Sequence, residues 1–150
     1  MDDRVTPTDY ATMKQIGESA EAYFRNGECC VEAVVHATID HLAPDTPPEV
    51  VAMVQGLCGG MGNKRATCGV FTGGAVAIGI AAKAREVPLT AEQIKKITAR
   101  YLELLEQEWG GHTCDELLKG MGISNWNRSQ CRRLTIRGAE LVAELMAEES

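Results

Sequence analysis

The stretch Thr67-Cys68-Gly69-Val70-Phe71-Thr72-Gly73-Gly74-Ala75-Val76-Ala77-Ile78-Gly79-Ile80-Ala81-Ala82-Lys83-Ala84-Arg85 decides the fold. Its apolar centre, 70–82, holds three glycines and is thirteen residues long, too short to span a bilayer. Glycine mixed with β-branched residues also suits a buried strand. The spacing favours a helix. Gly69, Gly73, Ala77 and Ala81 recur every four residues, lining small side chains along one ridge where a second helix can come close. That predicts a central helix over about 67–85, packed within the chain or at a dimer seam.

The flanking segments read as further helices. Thr8 caps a first one to about 26, with Met13, Ile16, Ala20 and Tyr23/Phe24 on one face and Gly27 as its stop. A second covers about 28–42, with Cys30, Val34, Ala37 and His41 inward. Thr46-Pro47-Pro48-Glu49 joins a capping-box pattern to proline at the first helical position, opening a third helix to about 57. A glycine-rich loop, 58–62, follows. Thr90-Ala91-Glu92-Gln93 is another capping box and opens a helix to Trp109, with Ile94, Ile97, Tyr101 and Leu104/Leu105 inward and Gly110 as its stop. Thr113-Cys114-Asp115-Glu116 opens a short helix to about 118, and Ser129 caps the last, with Leu134, Ala139, Leu141, Val142 and Leu145 apolar. No segment alternates like a strand. The expectation is an all-α fold: a compact bundle of about six to seven helices around a central helix rich in small residues. It forms one domain over 1–150, with 1–8 flexible and 147–150 frayed.

Composition narrows the function. The net charge of −6 leaves no surplus of cations for phosphates, and aromatics are only 5%, so nucleic acid is not an expected partner. Met1-Asp2-Asp3-Arg4 carries two acids and no apolar run follows, unlike a secretory signal. The expected compartment is therefore the cytoplasm, where cysteines serve as thiols, metal ligands or redox centres more often than as structural disulfides. A chain of this length removes roughly 70% of its unfolded surface from water and needs no disulfide to fold.

Six cysteines are many for such a chain. No Cys-x-x-Cys occurs, so a zinc ribbon, a thioredoxin-type site or covalent haem attachment has no local support. Any joint site has to be assembled by tertiary folding. On the helices above, Cys29/Cys30, Cys68, Cys114 and Cys131 each fall in the first turn of a helix. Unpaired N–H groups and the positive dipole end favour thiolate there, and the same N–H groups can donate to a ligating sulfur. Thr67, Thr113 and Ser129 place hydroxyls beside three of these sulfurs. Cys58, near the end of the third helix with no capping partner, reads as the bystander. The competing reading is inert filling, since reduced Cys behaves as a small buried hydrophobe.

The pattern is similar to the C_GCAxxG_C_C family, itself similar to the N-terminal part of split-Soret cytochrome c. The residues that carry the resemblance are Phe24-Arg25-Asn26-Gly27-Glu28-Cys29-Cys30-Val31-Glu32-Ala33-Val34, Gly59-Gly60-Met61-Gly62, Thr67-Cys68-Gly69-Val70-Phe71-Thr72-Gly73, His112-Thr113-Cys114-Asp115-Glu116-Leu117-Leu118 and Cys131. They span about 15–148. The resemblance maps the family's four cysteines onto Cys30, Cys68, Cys114 and Cys131. Val70 stands where the motif has alanine, which crowds the site, and Cys29 and Cys58 are extras. It implies sulfur redox chemistry or ligation, in an oxidoreductase role, without naming a substrate. Split-Soret relatives imply an iron–sulfur cluster; their haem-attachment sequence is absent here.

Three functions compete. Thiol–disulfide chemistry would use Cys30, Cys68, Cys114 and Cys131 as redox thiols with an unnamed redox partner, and Cys29, Cys58 and His112 are weaker candidates. Pairings such as Cys68 with Cys114 or Cys30 with Cys131 stay open. In metal ligation the same four cysteines would hold an iron–sulfur cluster or, less favoured, zinc. The third is a helical binding or homodimer module with the cysteines as filler. Gly59, Gly60, Gly62, Gly69 and Gly73 are expected to bring backbone close to the sulfur site. The loop lacks the strand and Gly-Lys-Ser/Thr ending of a phosphate loop. His36 and His41 share faces with Cys29 and Cys30 but read as packing residues, and Glu103, Glu106 and Glu108 as a solvated face.

Overall fold

A computed structural model describes residues 4–149. Seven α-helices follow one another: α1 (Pro7–Arg25), α2 (Cys30–Leu42), α3 (Glu49–Met53), α4 (Gly69–Ala84), α5 (Ala91–Trp109), α6 (Cys114–Met121) and α7 (Ser129–Ala147). Short 3₁₀ segments, Gln55–Leu57 and Gly122–Arg128, follow α3 and α6. Among the described residues there is no strand, only an isolated antiparallel bridge between Thr67 and Thr113. The chain is all-α, as its periodicity predicts. No helix of the described residues is long and apolar enough to cross a membrane.

Capping chemistry sets several helix starts. Thr90 and Thr113 accept from the N–H groups of Gln93 and Glu116, whose side chains reach back, as both capping boxes require. Gly110 closes α5 in the left-handed conformation at φ 81°. Three caps differ from expectation. The cap of α1 is Thr6 and not Thr8, because Asp9 answers Thr6 and Pro7 then takes the first helical position. The Thr46 box does not form: α3 starts after Pro48 with no side-chain cap, and the helix expected to 57 divides into α3 and a 3₁₀ turn. Ser129 lies inside α7 and donates to the Ser124 carbonyl. Of the start expected to be flexible, 1–3 lie outside the described residues; Val5 is buried and Pro7 and Thr8 already belong to α1. At the other end α7 runs to Ala147, and Ser150 lies outside the described residues.

Two helices share the centre. On α2, Val31, Ala33, Val34, Val35 and Ala37 are all fully buried, because α1, α4 and α7 pack around it. The ridge of α4 is buried within the chain. A β-carbon on Gly73 would stand 3.0 Å from the Val31 Cα, and one on Gly69 would stand 2.5 Å from both the Val31 Cγ2 and the Cys30 Sγ. The small residues thus admit α2 to backbone contact within the chain. On the other side Gly74 admits the Tyr101 ring, whose hydroxyl donates to the Val70 carbonyl at 2.8 Å.

The glycines of α4 separate packing from propensity. Gly74→Ala should lower stability by about 2–3 kcal/mol, because the methyl meets the rigid, buried Tyr101 ring. Gly79→Ala, with nothing within 4 Å, should raise it by about 0.5–1 kcal/mol through helix propensity alone. Urea denaturation checks both; two changes of the same sign would contradict this packing.

Candidate redox site

The first turns of α2, α4, α6 and α7 open onto one cavity of about 380 Å³. Its wall includes Cys29, Cys30, Cys68, Cys114 and Cys131, together with the apolar side chains of Val70, Leu117, Leu118, Met121 and Leu134. Cys29 and Cys68 are the N-caps of α2 and α4, Cys30 and Cys114 open α2 and α6, and Cys131 is the third residue of α7. The four cysteines expected as redox thiols, Cys30, Cys68, Cys114 and Cys131, are free and line this cavity.

Backbone pairing assembles it. Ahead of α4 the Cys68 N–H donates to the His112 carbonyl at 2.8 Å, and ahead of α6 the Cys114 N–H donates to the Ala66 carbonyl at 2.6 Å. These bonds flank the Thr67–Thr113 bridge and tie two helix starts together. The loop before them is a run of left-handed conformers: Gly59, Gly60, Met61, Gly62, Asn63 and Arg65 have φ between 59° and 73°. At Gly60 a β-carbon would lie 2.8 Å from the Ala66 nitrogen, so the turn needs glycine there. Gly59, Gly60 and Gly69 line the cavity. Gly62 and Gly73 do not: Gly62 has nothing within 4 Å and Gly73 serves the α2–α4 contact.

Cys29 and Cys58, expected as extras, are joined in a disulfide with a Cα separation of 5.9 Å. This corrects the reading of all six as thiols and of Cys58 as a bystander. The other four, Cys30, Cys68, Cys114 and Cys131, stand as free thiols. The bridge fastens the left-handed loop to the start of α2. Glu32 stands beside it: one carboxylate oxygen accepts from the Cys29 N–H at 3.1 Å and lies 3.9 Å from the Cys58 sulfur, while the other accepts from Gln55 at 3.2 Å.

Within the cavity the Cys30 sulfur lies against Gly69, the residue after Cys68, so the two thiols are neighbours. Hydrogen bonding with the Cys68 thiol brings Cys30 down to about 7, against the cost of burial, with help from the Val31 N–H and the Arg128 charge. The same bond, with burial, pushes Cys68 far up. The surroundings thus favour the negative charge on Cys30 and the proton on Cys68. Burial also raises Cys114, with the charges of Cys30 and Cys131 adding to it and those of Arg65 and Arg128 opposing. Cys131 is held by a residue that the sequence reading passed over. Asn125 accepts from the N–H groups of Gln130 and Cys131 at 2.9 and 3.0 Å and donates to the Cys131 sulfur at 3.3 Å, taking the capping place expected of Ser129.

The histidines stand apart. His112, a weaker candidate as a base, turns its half-exposed ring to Glu106 at 3.3 Å and does not line the cavity. His36 stacks on Tyr23 and bonds Glu28, and His41 bonds Ser19 at 2.7 Å, as packing residues do.

Two outcomes follow. Closing a loop of sequence separation 29 is worth ~3–4 kcal/mol in the chain-entropy account, so Cys58→Ala should lower stability by about that much in chemical denaturation. A loss under about 1 kcal/mol would contradict the role of a staple. Alkylation of Cys30 by iodoacetamide should follow the thiolate, rising with pH through a midpoint of about 7. Cys68→Ala removes the donor and should move that midpoint up toward the ordinary thiol value of about 8.5; an unchanged midpoint would show the pair is not coupled.

A family model described as "Putative redox-active protein (C_GCAxxG_C_C)" matches residues 28–145. No curated protein and no solved structure matches the chain. The matched span runs from the residue before the Cys29–Cys30 pair into the last turns of α7 and so takes in every cavity-lining cysteine. This chain therefore belongs to the C_GCAxxG_C_C family.

Proposed function

We propose that the protein exchanges two electrons with a thiol or disulfide partner at the Cys30/Cys68 pair. The observation that supports this reading is two free thiols at the starts of two packed helices, the Cys30 sulfur lying against Gly69 next to Cys68, on a cavity wide enough for a small molecule. Cys30 has the properties of an attacking group. Its affinity for protons is lowered to near-neutral pH, where a thiol combines a useful thiolate fraction with retained nucleophilicity.

In the reducing direction the Cys30 thiolate attacks one sulfur of the partner disulfide. A new S–S bond forms, the partner's own S–S bond breaks, and the first partner sulfur leaves and takes up a proton. Cys68 gives its proton to solvent and attacks the Cys30 sulfur, closing a Cys30–Cys68 disulfide and releasing the second partner sulfur. Two thiols are oxidised and one disulfide is reduced, and the reverse sequence regenerates the pair. Cys29–Cys58 holds the wall, and Cys114 keeps its proton while Cys30 is charged.

A second reading draws on the spread of the sulfurs. A tetrahedral zinc with Zn–S bonds of ~2.3 Å needs sulfurs ~3.8 Å apart. Among the described residues no three of the free cysteines lie within 4.8 Å of one another. An iron–sulfur cluster divides its cysteine ligands among several irons, so Cys30, Cys68, Cys114 and Cys131 suit such a group better than a single ion. It would supply one-electron transfer, with the cavity's apolar residues limiting water.

Thiol counting on anaerobic protein separates the two readings. The exchange reading expects four free thiols, falling to two on treatment with one equivalent of a small disulfide, with a Cys30–Cys68 bridge in the peptide map. Cys30→Ser and Cys68→Ser should abolish the change, and Cys114→Ser and Cys131→Ser should leave it. Stoichiometric iron with visible charge-transfer absorption, lost in Cys114→Ser or Cys131→Ser, would favour the cluster and contradict exchange.

A further inference from the structure

Apart from the sulfur at Cys30, the charged side chains of the cavity are all cationic. Arg65 and Arg128 line it, no carboxylate does, and this in a chain of net charge −6. The carboxylates around it are engaged elsewhere: Asp115 with Lys119 at 2.9 Å, Glu116 with Thr113, Glu28 with His36, and Glu32 with the Cys29 N–H and Gln55. Among the described residues neither arginine has a salt-bridge partner within 4.0 Å. Both sit on left-handed backbone, at φ 59° and 60°, which costs an L-residue of order 1 kcal/mol. Arg128 is seated over the Phe24 ring, 4.7 Å from its centroid. A cation on a ring face keeps the N–H edge of its guanidinium for another acceptor. One arginine is balanced by the sulfur charge at Cys30. The other, Arg65, acts on Asp115, which lies outside the lining and pairs with Lys119; both arginines are exposed, and no carboxylate within the cavity competes for their N–H groups.

We propose that the cavity selects small anionic sulfur compounds, low-molecular-weight disulfides or thiols bearing carboxylate or sulfonate groups. Arg65 and Arg128 hold the anionic group and direct the sulfur toward Cys30. The inference rests on the reading of Cys30 and Cys68 as the exchanging pair, and the chemistry is the two-step exchange given above. The volume, at the small end of ligand pockets, admits such a molecule. Guanidinium pairs with carboxylate or sulfonate through paired N–H bonds, so an arginine holds orientation as well as charge.

The test uses the symmetrical disulfides of 2-mercaptoethanesulfonate, 2-mercaptoethanol and cysteamine, which share a two-carbon skeleton and differ in charge. Rates of Cys30 oxidation are divided by the rates of the same disulfides with a small neutral thiol. The wild type should prefer the dianionic disulfide over the neutral one by roughly 10-fold, one bidentate charge contact's worth. Arg65→Gln and Arg128→Gln should each reduce that ratio, and the double variant should bring it near unity. Taking the ratio removes any change in Cys30 reactivity common to all probes. In the unaltered protein, raising ionic strength should collapse the preference, so the outcome does not depend on the variants folding. Equal normalised rates for all three disulfides, or a ratio unchanged in the double variant, would overturn the substrate class and leave exchange standing. Failure of every disulfide to oxidise the wild-type pair would overturn the exchange reading itself, and the inference with it.

Discussion

The approach of α2 to the small-residue ridge of α4 is the contact on which the site depends. With Gly69 and Gly73 facing Val31, the two helix starts come close enough for the Cys30 sulfur to rest against Gly69, beside Cys68. Any side chain at Gly69 would occupy the place of that sulfur. The contact is also a core contact, since α1, α4 and α7 pack around α2 and bury Val31, Ala33, Val34, Val35 and Ala37. Stability and chemistry therefore rest on the same two glycines.

Electrostatics follows from that placement. The first turn of a helix presents N–H groups without internal partners, and four of these helix starts face one cavity. Their N–H groups are not all available to sulfur. Those of Cys68 and Cys114 are used by the paired segments that join α4 to α6, and that of Cys131 by Asn125. The Cys68 thiol lowers Cys30 most, and the Val31 N–H adds to it, so the charge is favoured on that sulfur. Cys68 and Cys114 are pushed up in turn, by burial and by the negative sulfur nearby.

Much of this was legible in the residues. The capping boxes at Thr90 and Thr113, the stop at Gly110 and the four-residue spacing in α4 each have a local cause, and each survives folding. The helix-start positions of Cys30, Cys68, Cys114 and Cys131 came from the same signals. What the sequence hid is non-local. The Cys29–Cys58 bridge depends on where a run of left-handed residues turns, and neither cysteine carries a local mark of its partner. Asn125 caps a helix from within a kinked 3₁₀ segment, four residues ahead of the serine that local rules prefer. The orientation of His112 is set by Glu106 on the preceding helix. Arg65 and Arg128 carry no local mark of the cavity they line, because the fold of their two loops brings them there.

The account stands on sulfurs distant in sequence meeting in one space. Treating the anaerobic native protein with dibromobimane, followed by peptide mapping, tests this directly, because the reagent joins only thiols within its short span. Cross-linked peptides joining separate helices, Cys30 with Cys68 and Cys114 with Cys131, are the expected result. Bimane attached singly at each cysteine, with no bridged peptide, would contradict it.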